Sequence, residues 1–365
     1  MSGAEITSGE IVAFYLFDIA ETVNLQAVPG LIGGPAVAAR LAPKPATPAY
    51  VQYDKPPLSF EGDRVGIAEL AGFRVRVRMY DYGVMSLALT RPFAGSWADL
   101  VSAGQTLIEN PELEQQAEQA CRSVMARLAP ALTEPRTDLL SEDYLVFAVY
   151  ELSLPLRADA LLEERGESIA LMLRGERQPL SSQEQNKILG QSLSYLADDL
   201  VVPTWNAAFV YDTAAGAQAA LEIMEFANSQ LLEFRYYDRL LDDRLAAIYA
   251  RLQRPRWHET WTGGRYAAAR QVHSLFIDVN ELTDRTENAL KFIGDIYAAR
   301  LFTLIGDRLG LERWKANIQD KLETLDDIYR FAVEQSSMSR GQFLELTIVL
   351  ILILELALVF MGVMK

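Results

Sequence analysis

This chain of 365 residues has one cysteine, two histidines and fewer basic than acidic residues, and each shortage removes a class of function. The single cysteine, Cys121, cannot close an internal disulfide, which fits a reducing compartment, and it reads as a small core residue on a helix. Two histidines, His258 and His273, cannot build a Cys/His metal cluster with it, and the HETW at 258–261 lacks the second histidine of a zinc-protease helix. No P-loop, kinase motif set or G-x-S-x-G elbow occurs. GLIGG at 30–34 departs from the G-x-G-x-x-G spacing and runs into Pro35, so it reads as a turn and not as a phosphate cradle. Lys and Arg number 34 against 49 Asp and Glu, a net charge of −15, which disfavours direct nucleic-acid binding and makes an anionic lipid surface repel the folded part. No basic residue precedes Arg40, whereas Glu5, Glu10, Asp18 and Glu21 do, so neither a secretory signal nor a transit peptide is expected. The adjacent acids Asp198/Asp199, Asp242/Asp243 and Asp326/Asp327 point about 100° apart on a helix and make poor Mg²⁺ ligands. No catalytic residue, cofactor or resident metal is expected.

What is present predicts an α+β N-terminal domain over 1–153. The residues from Ile11 to Asp18 suit a buried strand, and 29–57, with seven of the fifteen prolines, suits an extended loop. In FRVRVRMY, Phe73, Val75, Val77 and Met79 alternate with Arg74, Arg76, Arg78 and Tyr80, the period of a strand with one buried face. The arginine row reads as a solvated face paired with nearby carboxylates. Asp81 to Gly83 turns the chain into a returning strand, VMSLAL. Helices are expected from Trp97 to Glu109 and from Pro111 to Leu128, then a strand from Tyr144 to Leu152. Residues 154–215 read as a helical segment with one short strand at 207–211. A long coiled-coil-like helical hairpin or stalk follows over 216–337, its first arm carrying Leu231, Phe234, Leu241, Leu245, Ile248 and Leu252 at four-and-three spacing after a cap at Asp212 and Thr213.

The one long apolar run, Phe343 to Met364, spans about 33 Å as a helix against a hydrocarbon core of roughly 30 Å, and predicts one C-terminal transmembrane helix. Glu355 then falls near mid-bilayer, where a charge is costly. Steps of four and three place Gly341, Glu345, Ile348, Leu352, Glu355, Val359 and Gly362 on one seam, with which the helix would meet a second copy or another subunit. The expectation is a tail-anchored, single-pass protein of a bacterial-type inner membrane with its bulk in the cytoplasm. Its partners would be the lipid bilayer, its own copies through the span and stalk, and a further protein.

LELTIVLILILE at 344–355, with Leu-Glu opening the run and a second Glu ten residues later, resembles the C-terminal signature of the required-for-meiotic-nuclear-division (YagE-type) family. ERWKANIQDKLETLDDIYRFAVEQ at 312–335 resembles that family's membrane-proximal helix, and Tyr82, Gly83 and Val84 in MYDYGVMSLAL match its Tyr-Gly-Val strand. The resemblance implies a non-enzymatic anchor or scaffold with no catalytic residues to carry over, and in mitochondrial members an inner-membrane location. The leading expectation is accordingly a homo-oligomeric membrane scaffold. The alternatives are a channel or transporter subunit with a CorA-like arrangement and a metal-dependent hydrolase.

Overall fold

The computed structural model describes residues 4–34, 37–38, 56–252, 296–328 and 330. They divide into two units, one of residues 1–237 and 282–315 and one of residues 238–281 and 316–365.

The first unit is built on a mixed sheet. Its strands are β1 (Ile6–Val23), β2 (Val37–Ala38), β3 (Leu58–Glu61), β4 (Glu69–Leu70), β5 (Phe73–Met79), β6 (Val84–Gly95), β7 (Leu132–Leu152), β8 (Leu200–Pro203) and β9 (Ala207–Tyr211). The order across the sheet is β2-β3-β5-β6-β1-β7-β9-β8, with β4 on β5. The β7–β9 pair is parallel and every other pair is antiparallel. The central strand is β1, and its run IVAFYLFDIA is buried at every position because both faces of the sheet are covered.

Ile11, Ala13, Tyr15, Phe17 and Ile19 of β1 join one core with residues of three helices. These are α2 (Trp97–Leu107), α3 (Pro111–Leu128) and α4 (Ala158–Arg174), which follow the short α1 (Val28–Leu31) and precede α5 (Ser182–Leu189). The ends of α2 and α3 form where the sequence offers caps. Ser96 and Asp99 make a reciprocal capping box, and Asn110 accepts from Glu112 and Leu113 ahead of Pro111 in the first turn. The other face lies under α6 (Ala214–Leu252) and, near β8, under α7 (Ile296–Leu309), where Phe302 stands 5.7 Å from Phe226 and Arg308 donates to the Pro203 carbonyl.

The second unit includes the distal turns of α6 and helical residues 316–328. Leu241, Ile318, Leu322 and Leu325 are buried, and Lys321 bridges Asp238 at 2.6 Å and Asp242 at 2.7 Å. Lys321→Met is expected to lower stability by about 1 kcal/mol, since the bridge is half in water and partly screened. Urea titration checks this, and the deficit should narrow in 1 M salt.

The membrane expectation is corrected. Among the described residues no helix is long and apolar enough to cross a membrane. The reason is physical: α6 is long enough but carries Glu222, Glu225, Glu233, Arg235, Asp238 and Arg239, while the 14 residues of α7 reach only about 21 Å. The fold class is therefore a mixed α/β sheet domain with a helical continuation. The tail-anchored scaffold, the transmembrane helix and the single-pass inner-membrane location are withdrawn on this finding. Residues 343–364 and the seam of Gly341, Glu345, Ile348, Leu352, Glu355, Val359 and Gly362 lie outside the described residues, as does the connector at 254–264.

Candidate functional site

The charged residues of the first unit converge where α6 crosses the sheet. In β5 the alternation sends Phe73, Val75, Val77 and Met79 into the core and sets Arg76 and Arg78 on the opposite face. That face is not solvated. Glu222 and Glu225, three residues apart on α6, come down on it, and the Glu225 carboxylate accepts from Arg78 at 2.8 Å and Arg76 at 3.2 Å. Glu222 stands 3.8 Å from Arg78, whose Nε also donates to Ser59 Oγ on β3. Glu225 is fully buried and Arg78 is 5% exposed, so each charge depends on its partner for the solvation it has lost. Along this part of α6 and the sheet below it, Ser86 Oγ, Arg76 Nε, Glu225 Oε1 and Asn228 Oδ1 are buried without a hydrogen-bond partner among the described residues. The polar seam is thus paired but not saturated.

One turn farther along, Ser229 donates to the Phe226 carbonyl and accepts from the Tyr82 hydroxyl at 2.7 Å, while Gln230 donates to that hydroxyl at 3.2 Å. Tyr82 is held there by the β5–β6 turn. Gly83 has φ +92°, and a Cβ on it would lie 1.9 Å from the Ala20 carbonyl oxygen, so only glycine fits. The turn is strapped to β1 by Ile19 N–H to Gly83 O and Val23 N–H to Asp81 O, both 2.9 Å.

The stripe ends with two more contacts between α6 and β7. Arg235 pairs with Glu142 and also donates to the Ser141 carbonyl. Arg136 stacks 4.3 Å from the centre of the Tyr236 ring and reaches back 3.2 Å to Asp18 on β1. It can do so because the β1–β7 ladder breaks: Asp18 pairs with Leu140 but Ala20 pairs with Pro135, leaving 136–139 as an excursion of the strand. Glu134, just before it, has φ 47°, an unusual backbone for a residue with a Cβ.

Burial pushes the Asp18 carboxyl up to about 6, with Arg136 pulling the other way. Burial works against charge on Arg136, but Asp18, Tyr236 and Glu233 outweigh it and hold that guanidinium above its ordinary value. For Asp18 the folded value exceeds the unfolded one, so its contribution to stability is complete below about pH 4 and is lost as pH rises through about 6. At about 1.4 kcal/mol per pKa unit the difference is about 3 kcal/mol. Asp18→Asn, which mimics the neutral acid, is expected to be more stable than the parent by up to about that amount at pH 7.5, with the advantage vanishing by pH 4. Paired urea titrations across that range check it.

Of the residues singled out by sequence, Cys121 is buried in the core among α3 residues, where burial pushes its thiol up. Asp199 accepts from the backbone of Tyr195 and Leu196 and shapes a loop, while Asp326 pairs with Arg330. Asp242 is taken by Lys321. Among the described residues no group of three or more His, Cys, Asp and Glu side chains is placed to hold a metal ion. His258 and His273 lie outside them. Sequence reasoning missed Glu222, Glu225 and Arg136, and it took Asp18 as the end of a buried strand and as one of the acids that precede Arg40. The available signals were that lone acid in IVAFYLFDIA and the polar positions 222, 225, 229, 233 and 236, which recur at helical spacing within α6.

A family model described as "Uncharacterized protein MJ0711, N-terminal domain" matches residues 8–218. That stretch holds the sheet with Asp18, Arg76, Arg78 and Arg136, and it ends within the first turns of α6, before the glutamates. The chain is similar to the uncharacterized protein MJ0711 of Methanocaldococcus jannaschii, with 24% identity over 227 residues, 62% of this chain and 68% of that one. No solved structure matches.

Proposed function

The chain belongs to the MJ0711 N-terminal domain family, and from that premise we propose that it is a non-catalytic, protein-binding module whose working part is α6. The observation that carries this reading is the fate of the charges at the site. Arg76 and Arg78 are engaged by Glu222 and Glu225, Asp18 by Arg136, and Glu142 by Arg235. A catalytic constellation holds an acid, base or nucleophile toward a substrate, whereas these groups are aimed at each other across the sheet–helix boundary. Buried ion pairs of this kind are best attested as devices that fix register. They support a helix seated in one register so that its outer side is presented to a partner. The exposed residues of its distal turns, Asp243, Arg244 and Tyr249 among them, are the surface on offer. A narrower kinship with the required-for-meiotic-nuclear-division family is part of the same inference, supported by the fixed place of Tyr82 and Gly83 in the β5–β6 turn and of Val84 at the start of β6.

The test uses the full chain. A photo-crosslinking residue at Asp243 should yield one dominant protein adduct in cells and none at Glu112 on α3, and a metabolite extract with ATP and Mg²⁺ should pass over the protein unchanged. A conversion that depends on the protein and disappears in Glu225→Gln would overturn the reading.

A further inference from the structure

The ion pairs under α6 leave four polar atoms over, and the four call for one kind of guest. We propose that the seam between α6 and the sheet is completed by an internal water site, walled by Arg76, Ser86, Glu225 and Asn228. The site stands whether or not α6 binds a partner.

The elements already described bring the four residues together. Ser86 of β6 pairs with Arg78 on β5 and with Leu16 on β1, and paired residues share a face, so Ser86 stands on the side of the sheet that carries the arginines. Its neighbours on that face, Leu16, Val84 and Ala88, are buried and apolar, and Ser86 itself is fully buried. α6 engages β5 at Glu225, and it engages Ser141 and Glu142 of β7 through Arg235. Between those two strands the sheet runs β6 and then β1. Asn228, one turn on from Glu225 and also fully buried, therefore comes down over the strands between them.

Among the described residues the leftover atoms divide evenly into donors and acceptors. Glu225 accepts from Arg76 Nη2 at 3.2 Å and from Arg78 Nη1 at 2.8 Å through Oε2 alone, and Oε1 receives no donor. Arg76 Nε shares an edge of its guanidinium with Nη2, so the second leg of a two-pronged pair stands open, a donor on one side and an acceptor on the other. Asn228 Nδ2 donates to the Met224 carbonyl at 2.8 Å, while its Oδ1 receives nothing. The Ser86 hydroxyl can give or take. The guest must donate to Glu225 Oε1 and Asn228 Oδ1 and accept from Arg76 Nε and Ser86 Oγ. A metal ion would meet the guanidinium groups of Arg76 and Arg78, an anion would meet Glu225, and an apolar group would leave all four atoms unbonded. Water donates two hydrogen bonds and accepts two, and a buried water typically makes about three. α6 is thus tied to β5 by charge, to the middle of the sheet through water, and to β7 by Arg235.

Oxygen-17 relaxation dispersion on the full chain tests this, because it counts water molecules that stay in a protein far longer than in bulk. Ser86→Val together with Asn228→Leu replaces two of the four polar groups by apolar ones and should remove at least one such water relative to the parent. An unchanged count overturns the proposal. Should the double variant not fold, a crystal structure of the parent decides. A density peak about 2.5–3.2 Å from Glu225 Oε1 and from at least one of Arg76 Nε, Ser86 Oγ and Asn228 Oδ1 supports the site. A seam without that peak, closed by a direct bond from Arg76 Nε to Glu225 Oε1 or simply dry, refutes it. So does a peak with the contacts of about 2.0–2.4 Å that mark a metal ion.

Discussion

Glu225→Ala is expected to destabilise the first unit by about 3–5 kcal/mol, the range for removing one partner of a buried ion pair. The loss comes less from attraction forgone than from what remains. Arg78, 5% exposed, would stay beneath α6 with the next carboxylate, Glu222, 3.8 Å away, while Arg76 can turn part of its side chain to water. Arg78→Met together with Glu225→Leu should recover most of the loss, because two apolar groups of similar size leave no stranded charge. A double-mutant cycle by urea titration measures the coupling. If Glu225→Ala lay within about 0.5 kcal/mol of the parent, which is the scale of an exposed surface change, the seam would not be the buried contact described above.

That pair also marks where the sequence stops being legible. The alternation of β5 is a local signal, and it assigned Phe73, Val75, Val77 and Met79 to the core correctly. The turn at Asp81 to Gly83 and the helix start at Pro111 were equally local, each a residue type demanded by its own backbone. The fate of the arginine face was not local. Arg76 and Glu225 are 149 residues apart, and nothing in FRVRVRMY says that a helix will cover it. For the same reason β7 looked like a strand of nine residues. Its first half, from Leu132, has no buried position and carries Glu134, Pro135, Arg136 and Asp138, so it lacks apolar alternation and is a strand because β1 pairs with it. The strands β8 and β9 join the same sheet through the parallel β7–β9 pairing, which no short-range pattern encodes.

The site followed the same rule. Polar residues at 222, 225 and 229 were visible as an interruption in the apolar pattern of α6, but their meaning required the opposite surface. The family match up to residue 218 covers that surface and stops short of them. The sheet side of the seam is therefore the part that the family model covers.

Gly83→Ala should be at least as damaging as the loss of Glu225, about 4 kcal/mol or more, and for an unrelated reason. Two penalties act on the same atom. The φ of +92° is one that residues with a Cβ rarely adopt, and the added carbon would lie 1.9 Å from the Ala20 carbonyl oxygen, a backbone atom of the central strand that cannot swing aside. Gly66 isolates the first penalty: its φ is +84°, nothing lies within 4 Å of the added carbon, and Gly66→Ala should cost only about 1–2 kcal/mol. The excess at Gly83 measures how tightly the turn is held on β1. If the turn were forced away, Ile19 and Val23 would lose their backbone bonds to it, and Tyr82 would be pulled from Ser229. Tyr82→Phe, which removes only the hydroxyl, should cost about 1 kcal/mol and leave the turn in place. Urea titration of the three variants ranks them, and equal losses for Gly83→Ala and Gly66→Ala would mean that the turn does not rest against Ala20.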